Sequence, residues 1–132
     1  MAAIANGGYA LTPRLWLDGL AEPPRALGFS EATLASVRAG LDEAVNTGTP
    51  GASGTAYKAF HRGEPLAVRV AGKTGTADTG KDGEQPHAWF AGFAPSEAPK
   101  VAFCVMLEHG GHGGEVAAPV AYQVLREVYG TK

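Results

Sequence analysis

Residues 71–77, Ala-Gly-Lys-Thr-Gly-Thr-Ala, place a cation, two hydroxyl groups and two glycines within a few positions of the chain. They follow an apolar run at 66–70 that predicts a β-strand. Ammonium and hydroxyl groups donate hydrogen bonds to anionic oxygens, so this segment can bind a carboxylate or a phosphate. Glycine in a strand also lets a ligand or another backbone approach closely. The pattern therefore predicts an anion-binding site along a strand.

A nucleotide-binding P-loop is the first class of site to consider for a Gly-Lys-Thr sequence, and the spacing excludes it. That motif requires a glycine five residues before Gly72, where this chain has Ala67. A helix must also follow the lysine, but residues 74–80 contain two glycines and three threonines and are a poor helix start. Taken alone, the segment is also compatible with an ordinary strand end followed by turn residues.

The two threonines of the segment can act together if it forms a strand at the edge of a sheet. Side chains alternate along a strand, so Thr74 and Thr76 would point to the same side, with Lys73 nearby. Two hydroxyls and a lysine can bind a terminal carboxylate, and an extended peptide can add to an open strand edge. The backbone N–H of Thr76 would be available as an oxyanion-hole donor.

Further segments follow in a fixed order. Lys-Thr-Gly-Thr-Ala at 73–77 precedes His-Ala-Trp-Phe-Ala-Gly-Phe-Ala-Pro at 87–95 and an apolar run that begins at Val101. Together with Ala-Ile-Ala-Asn-Gly-Gly at 3–8, these segments resemble the C-terminal part of a penicillin-binding protein transpeptidase domain. Gly-Thr-Ala at 54–56 and the His-Ala-Trp-Phe run are most similar to the class B, elongation-type members. The resemblance covers nearly the whole chain.

The resemblance implies both a fold and a set of site residues. The implied fold is α+β, the C-terminal portion of a serine β-lactamase/transpeptidase-like fold, with an antiparallel sheet of about three to five strands packed by helices. Lys73, Thr74, Gly75 and Thr76 would bind the carboxylate of a D-alanyl-D-alanine stem peptide or of a β-lactam. Lys73 and the backbone N–H of Thr76 would also take part in catalysis. No cofactor and no metal is implied.

The family's nucleophile is missing from this sequence. None of its serines is followed by lysine at the Ser-x-x-Lys spacing, and no Ser-x-Asn motif occurs. We therefore expect residues 1–132 to be the C-terminal segment of a transpeptidase domain whose upstream portion carries both motifs. The chain alone is expected to be inactive. Because helix and strand partners are missing, it is also expected to self-associate or to need the missing upstream portion.

Two other functions remain open at this stage. A serine β-lactamase or a D,D-carboxypeptidase of the same fold would place its hydrolytic machinery upstream, so the chain discriminates little between them and a transpeptidase. The run at 87–95 favours the transpeptidases. A non-catalytic remnant that binds peptides along its edge strand is the third interpretation.

Size and charge limit the partners. A chain of 132 residues is one domain's worth of chain, and its net charge of −2 without a basic run argues against nucleic-acid binding. No apolar run is long enough to span a membrane, so we expect this chain to be soluble. The resemblance implies a parent anchored in the cytoplasmic membrane of a bacterial cell, with this domain in the periplasm or cell exterior. There it would serve peptidoglycan synthesis and cell shape beside a glycan-polymerising membrane partner.

The elements that must position the site follow from periodicity and caps. Ser30 is a good N-cap for a helix that ends near residue 46. Apolar runs predict strands at about 66–77, 87–94 and 100–108, with short polar loops that suit antiparallel neighbours. A last helix at 115–129 should lie across the sheet, and a short strand is predicted within 11–20. Four valines are expected on one face of this last helix: Val116, Val120, Val124 and Val128.

The remaining chemistry-bearing residues have plainer interpretations. Cys104 lies in an apolar run and is expected to be buried as a small hydrophobic residue. His109 and His112 could bind a metal with Glu108, but they stand among four glycines, which favours a flexible strand-to-helix connection. His87 is expected to be structural. Three neighbouring aromatic residues are expected to pack on the sheet: Trp89, Phe90 and Phe93.

Overall fold

The structure is a computed structural model that describes residues 1–16 and 20–132. Its helices are α1 (Ala2–Ala5), α2 (Glu31–Asn46), α3 (Tyr57–His61) and α4 (Ala117–Tyr129). Its strands are β1 (Tyr9–Ala10), β2 (Arg25–Ala26), β3 (Gly48–Thr49), β4 (Ala52–Ser53), β5 (Ala71–Ala77), β6 (His87–Ala94) and β7 (Val101–Leu107). None of the helices in these ranges has the length and apolar content needed to cross a membrane.

The central sheet is antiparallel and has the order β5-β6-β7. The three predicted strands and their antiparallel pairing are therefore confirmed. The first strand begins later than predicted, at Ala71, because the residues before it pair elsewhere. Leu66 forms a bridge with Thr131, and the N–H of Ala67 donates to the carbonyl of Gly130 at 3.0 Å. Two short hairpins, β1–β2 and β3–β4, stand outside this sheet.

Helix α2 begins and ends where its sequence predicts. The backbone N–H of Thr33 donates to the hydroxyl of Ser30 at 3.1 Å, which caps the first turn. The helix buries Leu34, Leu41 and Val45, which lie on one face. Gly40 lies in its interior, and no atom approaches the position of a side chain there.

Helix α4 carries Val120, Val124 and Val128 on one face, as predicted, and this face is exposed. Its buried face consists of small and aromatic residues, whereas three of the four valines are exposed. The helix lies across β6 and β7, as predicted, and alanines let its axis approach the strands closely. The buried residues are Ala117, Ala118, Ala121, Tyr122 and Leu125, and the exposed valines are Val120, Val124 and Val128.

The sheet separates two clusters of buried residues. On the α3–α4 side, Phe90 is fully buried and contacts Phe60 with ring centroids 5.5 Å apart. On the α2 side, Leu41 packs with Ala71 and Phe93, which is also fully buried. Packing of Phe90 and Phe93 on the sheet is confirmed. The larger cluster anchors α3 and α4 against β6 and β7.

The α2 side of the sheet is covered at one end only. Trp89 on β6 is 37% exposed, and Met106 on β7 is 41% exposed. Cys104 lies on the same face and is exposed, so the prediction that it is buried is wrong. The physical reason is that α2 packs over Ala71 and Phe93 and leaves the far end of the face open.

The prediction of a strand within residues 11–20 is wrong for the part that the structure describes. Residues 11–16 form no strand, and the pairing occurs earlier, between Tyr9 and Ala26 and between Ala10 and Arg25. Residues 17–19 lie outside the described residues. Pro13 and the later pair of prolines are compatible with this irregular path, because proline lacks the N–H that a ladder requires.

An ion pair connects α2 to the segment that leads into β5, and it supports a pH-dependent prediction. Arg69 donates to both carboxylate oxygens of Asp42, at 2.8 and 2.6 Å, and the side-chain amide of Asn46 adds a bond at 3.0 Å. The Arg69 guanidinium holds the pKa of Asp42 below its ordinary value of 3.8, against the opposing effect of partial burial.

We expect Asp42→Asn to lower the free energy of unfolding at neutral pH by about 1 kcal/mol, since the pair is partly exposed and solvent screens it. The native pKa is depressed, so the stabilisation is present above the unfolded-state pKa and is lost as pH falls through the native pKa. Urea unfolding at a series of pH values checks this. A difference between variant and wild type that persists in strong acid would contradict it.

Candidate active site

Strand β5, which carries the predicted anion-binding residues, lies at an edge of the sheet. It pairs with β6 on one side, and no strand among the described residues pairs with its other side. An edge strand presents alternate N–H and C=O groups to whatever approaches it. The sequence Ala-Gly-Lys-Thr-Gly-Thr-Ala thus lies where an extended peptide can add by main-chain hydrogen bonds.

Alternation along β5 divides its functional side chains between two faces. Thr74 and Thr76 lie on the α3–α4 side and line one cavity of about 430 Å³. Lys73 lies on the α2 side and lines a different cavity, also of about 430 Å³, together with Gly40 and Glu43. The structure therefore brings the two threonines together and places the lysine on the opposite side of the same strand.

Lys73 is held against its own strand. Its ammonium donates a hydrogen bond to the carbonyl of Thr74 at 2.6 Å, and the side chain is otherwise exposed to solvent. Such a bond fixes the charge beside the open edge rather than leaving it on a mobile side chain. Lys73 can therefore supply positive potential to a ligand that pairs with β5.

Thr55 is a site residue that the sequence reasoning did not assign. Its hydroxyl lies 2.8 Å from the hydroxyl of Thr74, although the two residues are 19 positions apart. It also lines the threonine cavity with Ser53 and Lys58. The Thr74 hydroxyl donates this hydrogen bond to the Thr55 hydroxyl, which holds the Thr74 side chain in the cavity wall. The Gly-Thr-Ala run at 54–56 was the one signal for this contact.

The glycine-rich connection between β7 and α4 packs tightly under the site, which corrects the prediction that it is flexible. A side chain at Gly113 would overlap the carbonyl oxygens of Trp89 and Gly75. One at Gly114 would overlap the carbonyl oxygen of Thr55. These glycines are needed because backbone from three segments meets there, not because the loop must move.

The neighbouring strand leaves little room for a side chain at Gly75. A Cβ at this position would come within 3.2 Å of the Cβ of Trp89 on the neighbouring strand. Because Gly75 has none, the surface of β5 between its lysine and Thr76 stays open to an approaching ligand. This placement agrees with the role that the sequence predicts for it, which stays a prediction.

The histidines near the site form local contacts. The backbone N–H of His109 donates to Nδ1 of His87 at 3.0 Å, and the two rings meet with centroids 4.8 Å apart. Nδ1 of His109 also lies 3.7 Å from a carboxylate oxygen of Glu84. His112 lies elsewhere, in the lining of the threonine cavity. Among the described residues, no group of three or more metal-ligating side chains could hold a metal ion.

Comparison with known protein families identifies the family of this chain. A family model described as the penicillin binding protein transpeptidase domain matches residues 1–126. The chain belongs to this transpeptidase family. The α+β fold inferred from the motifs is confirmed by the same relationship.

Individual relatives of the transpeptidase family agree with the subclass. The chain is 37% identical, over 94% of its length, to "Peptidoglycan D,D-transpeptidase PbpA" of Mycobacterium tuberculosis, and it spans 26% of that protein. A complex of PBP2 and MreC from Helicobacter pylori gives a TM-score of 0.76 at 30% identity, covering 96% of this chain and 23% of the other. The class B, PBP2-type resemblance is therefore confirmed.

A third transpeptidase structure contains an antibiotic. Penicillin-binding protein A from M. tuberculosis, as its imipenem acyl-enzyme complex, gives a TM-score of 0.72 at 28% identity. The alignment covers 96% of this chain and 28% of the other. The present chain thus spans about a quarter of the relatives it matches, and its sequence contains neither a Ser-x-x-Lys nor a Ser-x-Asn motif.

Proposed function

We propose that this chain supplies the substrate-binding edge strand of a peptidoglycan D,D-transpeptidase that cross-links stem peptides by serine acyl transfer. The observation that carries the proposal is the open edge of β5, where Thr74 and Thr76 line one cavity and Lys73 flanks the strand from the other face. Membership in the transpeptidase family supports the same reaction. Lys73, Thr74, Gly75 and Thr76 are the proposed site residues.

In this reaction the chain binds and polarises the acyl donor. The donor, a D-alanyl-D-alanine stem peptide, lies antiparallel along β5 with its carboxylate at the threonine hydroxyls. A serine outside this sequence attacks the penultimate D-Ala carbonyl, and the backbone N–H of Thr76 stabilises the oxyanion. The peptide bond to the last D-Ala breaks, and its free amine takes up the proton lost by the serine. An amine of a second stem then attacks the acyl-serine ester, forms the new peptide bond and returns a proton to the serine oxygen.

The proposed assignment includes the domain organisation. Residues 1–132 would be the C-terminal segment of a transpeptidase domain, and the Ser-x-x-Lys and Ser-x-Asn motifs would lie in the upstream portion. A serine β-lactamase or D,D-carboxypeptidase is less well supported, because the relative with 37% identity is named a D,D-transpeptidase. A peptide-binding remnant would have the same edge strand and no nucleophile.

Inhibitors, partners and location follow from the same proposal. The imipenem acyl-enzyme of the M. tuberculosis relative supports β-lactams as ligands of the parent protein. The complex of the H. pylori relative with MreC supports assembly with a protein partner, to which we add a glycan-polymerising membrane partner. The parent would act in the bacterial cell envelope, anchored in the cytoplasmic membrane, with this domain outside the cytoplasm.

Labelling with a fluorescent penicillin tests the proposed function. We expect no covalent adduct on the 132-residue chain, since it contains no serine in a Ser-x-x-Lys motif. The protein that includes the upstream portion should be labelled with one penicillin per molecule, and peptide mapping by mass spectrometry should place the adduct on the Ser-x-x-Lys serine. Stoichiometric labelling of the short chain, or an upstream portion without that serine, would contradict the proposal.

The uncovered apolar surfaces lead to a prediction about the isolated chain. Trp89 and Met106 are exposed on one face of the sheet, and three valines are exposed on α4. We expect the isolated chain to self-associate, because exposed apolar patches of this kind are covered in stable proteins. Multi-angle light scattering should give a mass above that of one chain. A compact, monodisperse monomer over a wide concentration range would be the contrary result.

A further inference from the structure

Lys58 lies in the wall of the threonine cavity and has no assigned role. It is the second residue of α3, and it lines the cavity together with Thr55, Thr74 and Thr76. The structure shows no hydrogen bond or ion pair from its ammonium to any of the described residues. Its charge is therefore available to a ligand.

The cavity needs a cation if it is to bind a carboxylate. Hydroxyl groups donate hydrogen bonds but leave the charge of the ligand uncompensated. Lys73, the expected counter-ion, lines the cavity on the opposite side of β5. Among the described residues that line the threonine cavity, Lys58 is the only lysine or arginine.

The backbone that carries Lys58 is firmly anchored. Phe60, two residues further along α3, is buried and meets Phe90 at 5.5 Å and Tyr122 at 6.0 Å between ring centroids. Ala56, just before the helix, is also buried. Since α3 is held in the core by Phe60, the backbone that carries Lys58 has a fixed position beside the cavity.

The same cavity contains an acidic residue that helps to test the idea. Glu115 lines the wall together with His112, and no ion pair joins Glu115 to Lys58. A carboxylate ligand would be attracted by Lys58 and repelled by Glu115. Replacing each by its neutral amide should therefore change binding in opposite directions.

We propose that Lys58 is the cation that neutralises the carboxylate of the acyl donor held by Thr74 and Thr76, with Thr55 keeping the Thr74 hydroxyl in place. The proposal rests on the proposed transpeptidase function and adds a binding residue outside the Lys-Thr-Gly motif. Lys73 and Lys58 then flank the ligand from the two faces of β5. The chemical class of the ligand is a peptide or β-lactam with a free carboxylate.

The test measures the second-order rate constant for acylation of the protein with its upstream portion, using penicillin G and its methyl ester. We expect Lys58→Gln to slow acylation by penicillin G about 10-fold, as the loss of a charge-assisted hydrogen bond implies. The rate with the ester, which has no carboxylate, should change less than about 2-fold. Lys58→Arg should retain most of the rate, and Glu115→Gln should raise it about 2-fold through the lost repulsion.

Lys81→Gln is the matched control, because Lys81 pairs with Glu84 in the β5–β6 loop and does not line the cavity. It should leave both rates unchanged. Equal loss with penicillin G and with the ester would show a structural role for Lys58 and overturn the proposal, as would an unchanged rate. If the wild-type protein is not acylated at all, the proposed transpeptidase function fails, and the assignment of Lys58 fails with it.

Discussion

Replacing Lys73 with alanine is expected to lower the second-order rate constant for acylation by penicillin G about 100-fold, measured on a protein that includes the proposed upstream portion. A charge-assisted hydrogen bond contributes about 1.5–3 kcal/mol, and tenfold in rate corresponds to about 1.4 kcal/mol. Lys73 is exposed and fixed by its bond to the carbonyl of Thr74, so its charge lies at the open edge of β5 in the free protein. Its removal weakens the positive potential where an anionic acyl donor must pair.

The stability of the protein should change little in this variant, because Lys73 makes no ion pair among the described residues. Lys100→Ala removes another exposed lysine, from the β6–β7 loop, and serves as the control. Stopped-flow or gel-based acylation kinetics give the rates, and thermal unfolding gives the stability. An acylation rate within about 2-fold of wild type would refute the assignment of Lys73 to the site.

Gly113→Ala is expected to lower the free energy of unfolding by about 3 kcal/mol, at the upper end of overpacking effects. The added methyl would overlap the carbonyl oxygens of Trp89 and Gly75 and would lie 3.0 Å from the backbone nitrogen of Gly75. All of these are backbone atoms of paired strands, so they cannot move aside as a side chain does. Relief requires that β5 and the loop separate, which also displaces the proposed oxyanion donor at Thr76.

Gly40→Ala is the matched control for this prediction. No atom lies within 4 Å of the position that its side chain would occupy, and it lies in the interior of α2. Alanine should therefore stabilise the protein by up to about 1 kcal/mol through helix propensity. Urea unfolding of the two variants should give changes of opposite sign. A Gly113 variant as stable as wild type would show that the connection is as flexible as its glycine content alone suggests.

Features that depend on neighbours in the sequence were predictable. Ser30 caps α2 because a cap depends on residues within one turn. The common side of Thr74 and Thr76 follows from the two-residue period of a strand, whatever packs around it. The antiparallel arrangement of the last three strands followed from the short polar loops between them.

Features that depend on a distant partner were missed or misjudged. Periodicity shows that α4 has apolar residues on several sides. The face with alanines packs on the sheet, because small residues allow closer contact. Val124 therefore stays exposed. Cys104 has apolar neighbours along the chain, yet burial depends on what covers its face of the sheet. Glycines at 113 and 114 suggested flexibility, whereas the neighbouring strands require them for close packing.

The Lys-Thr-Gly-Thr strand, its antiparallel neighbours and the resemblance to the transpeptidases could be read from the sequence, because motif, period and loop length are local properties. The place of this strand at an edge of the sheet, and the groups that share a cavity with it, depend on the tertiary structure. It brought Thr55 within hydrogen-bonding distance of Thr74 and Lys58 into the same wall, and it placed Lys73 on the other face. These contacts join segments far apart in the chain, and they arise from the packing of α3 and the β7–α4 connection against β5, which no local pattern records.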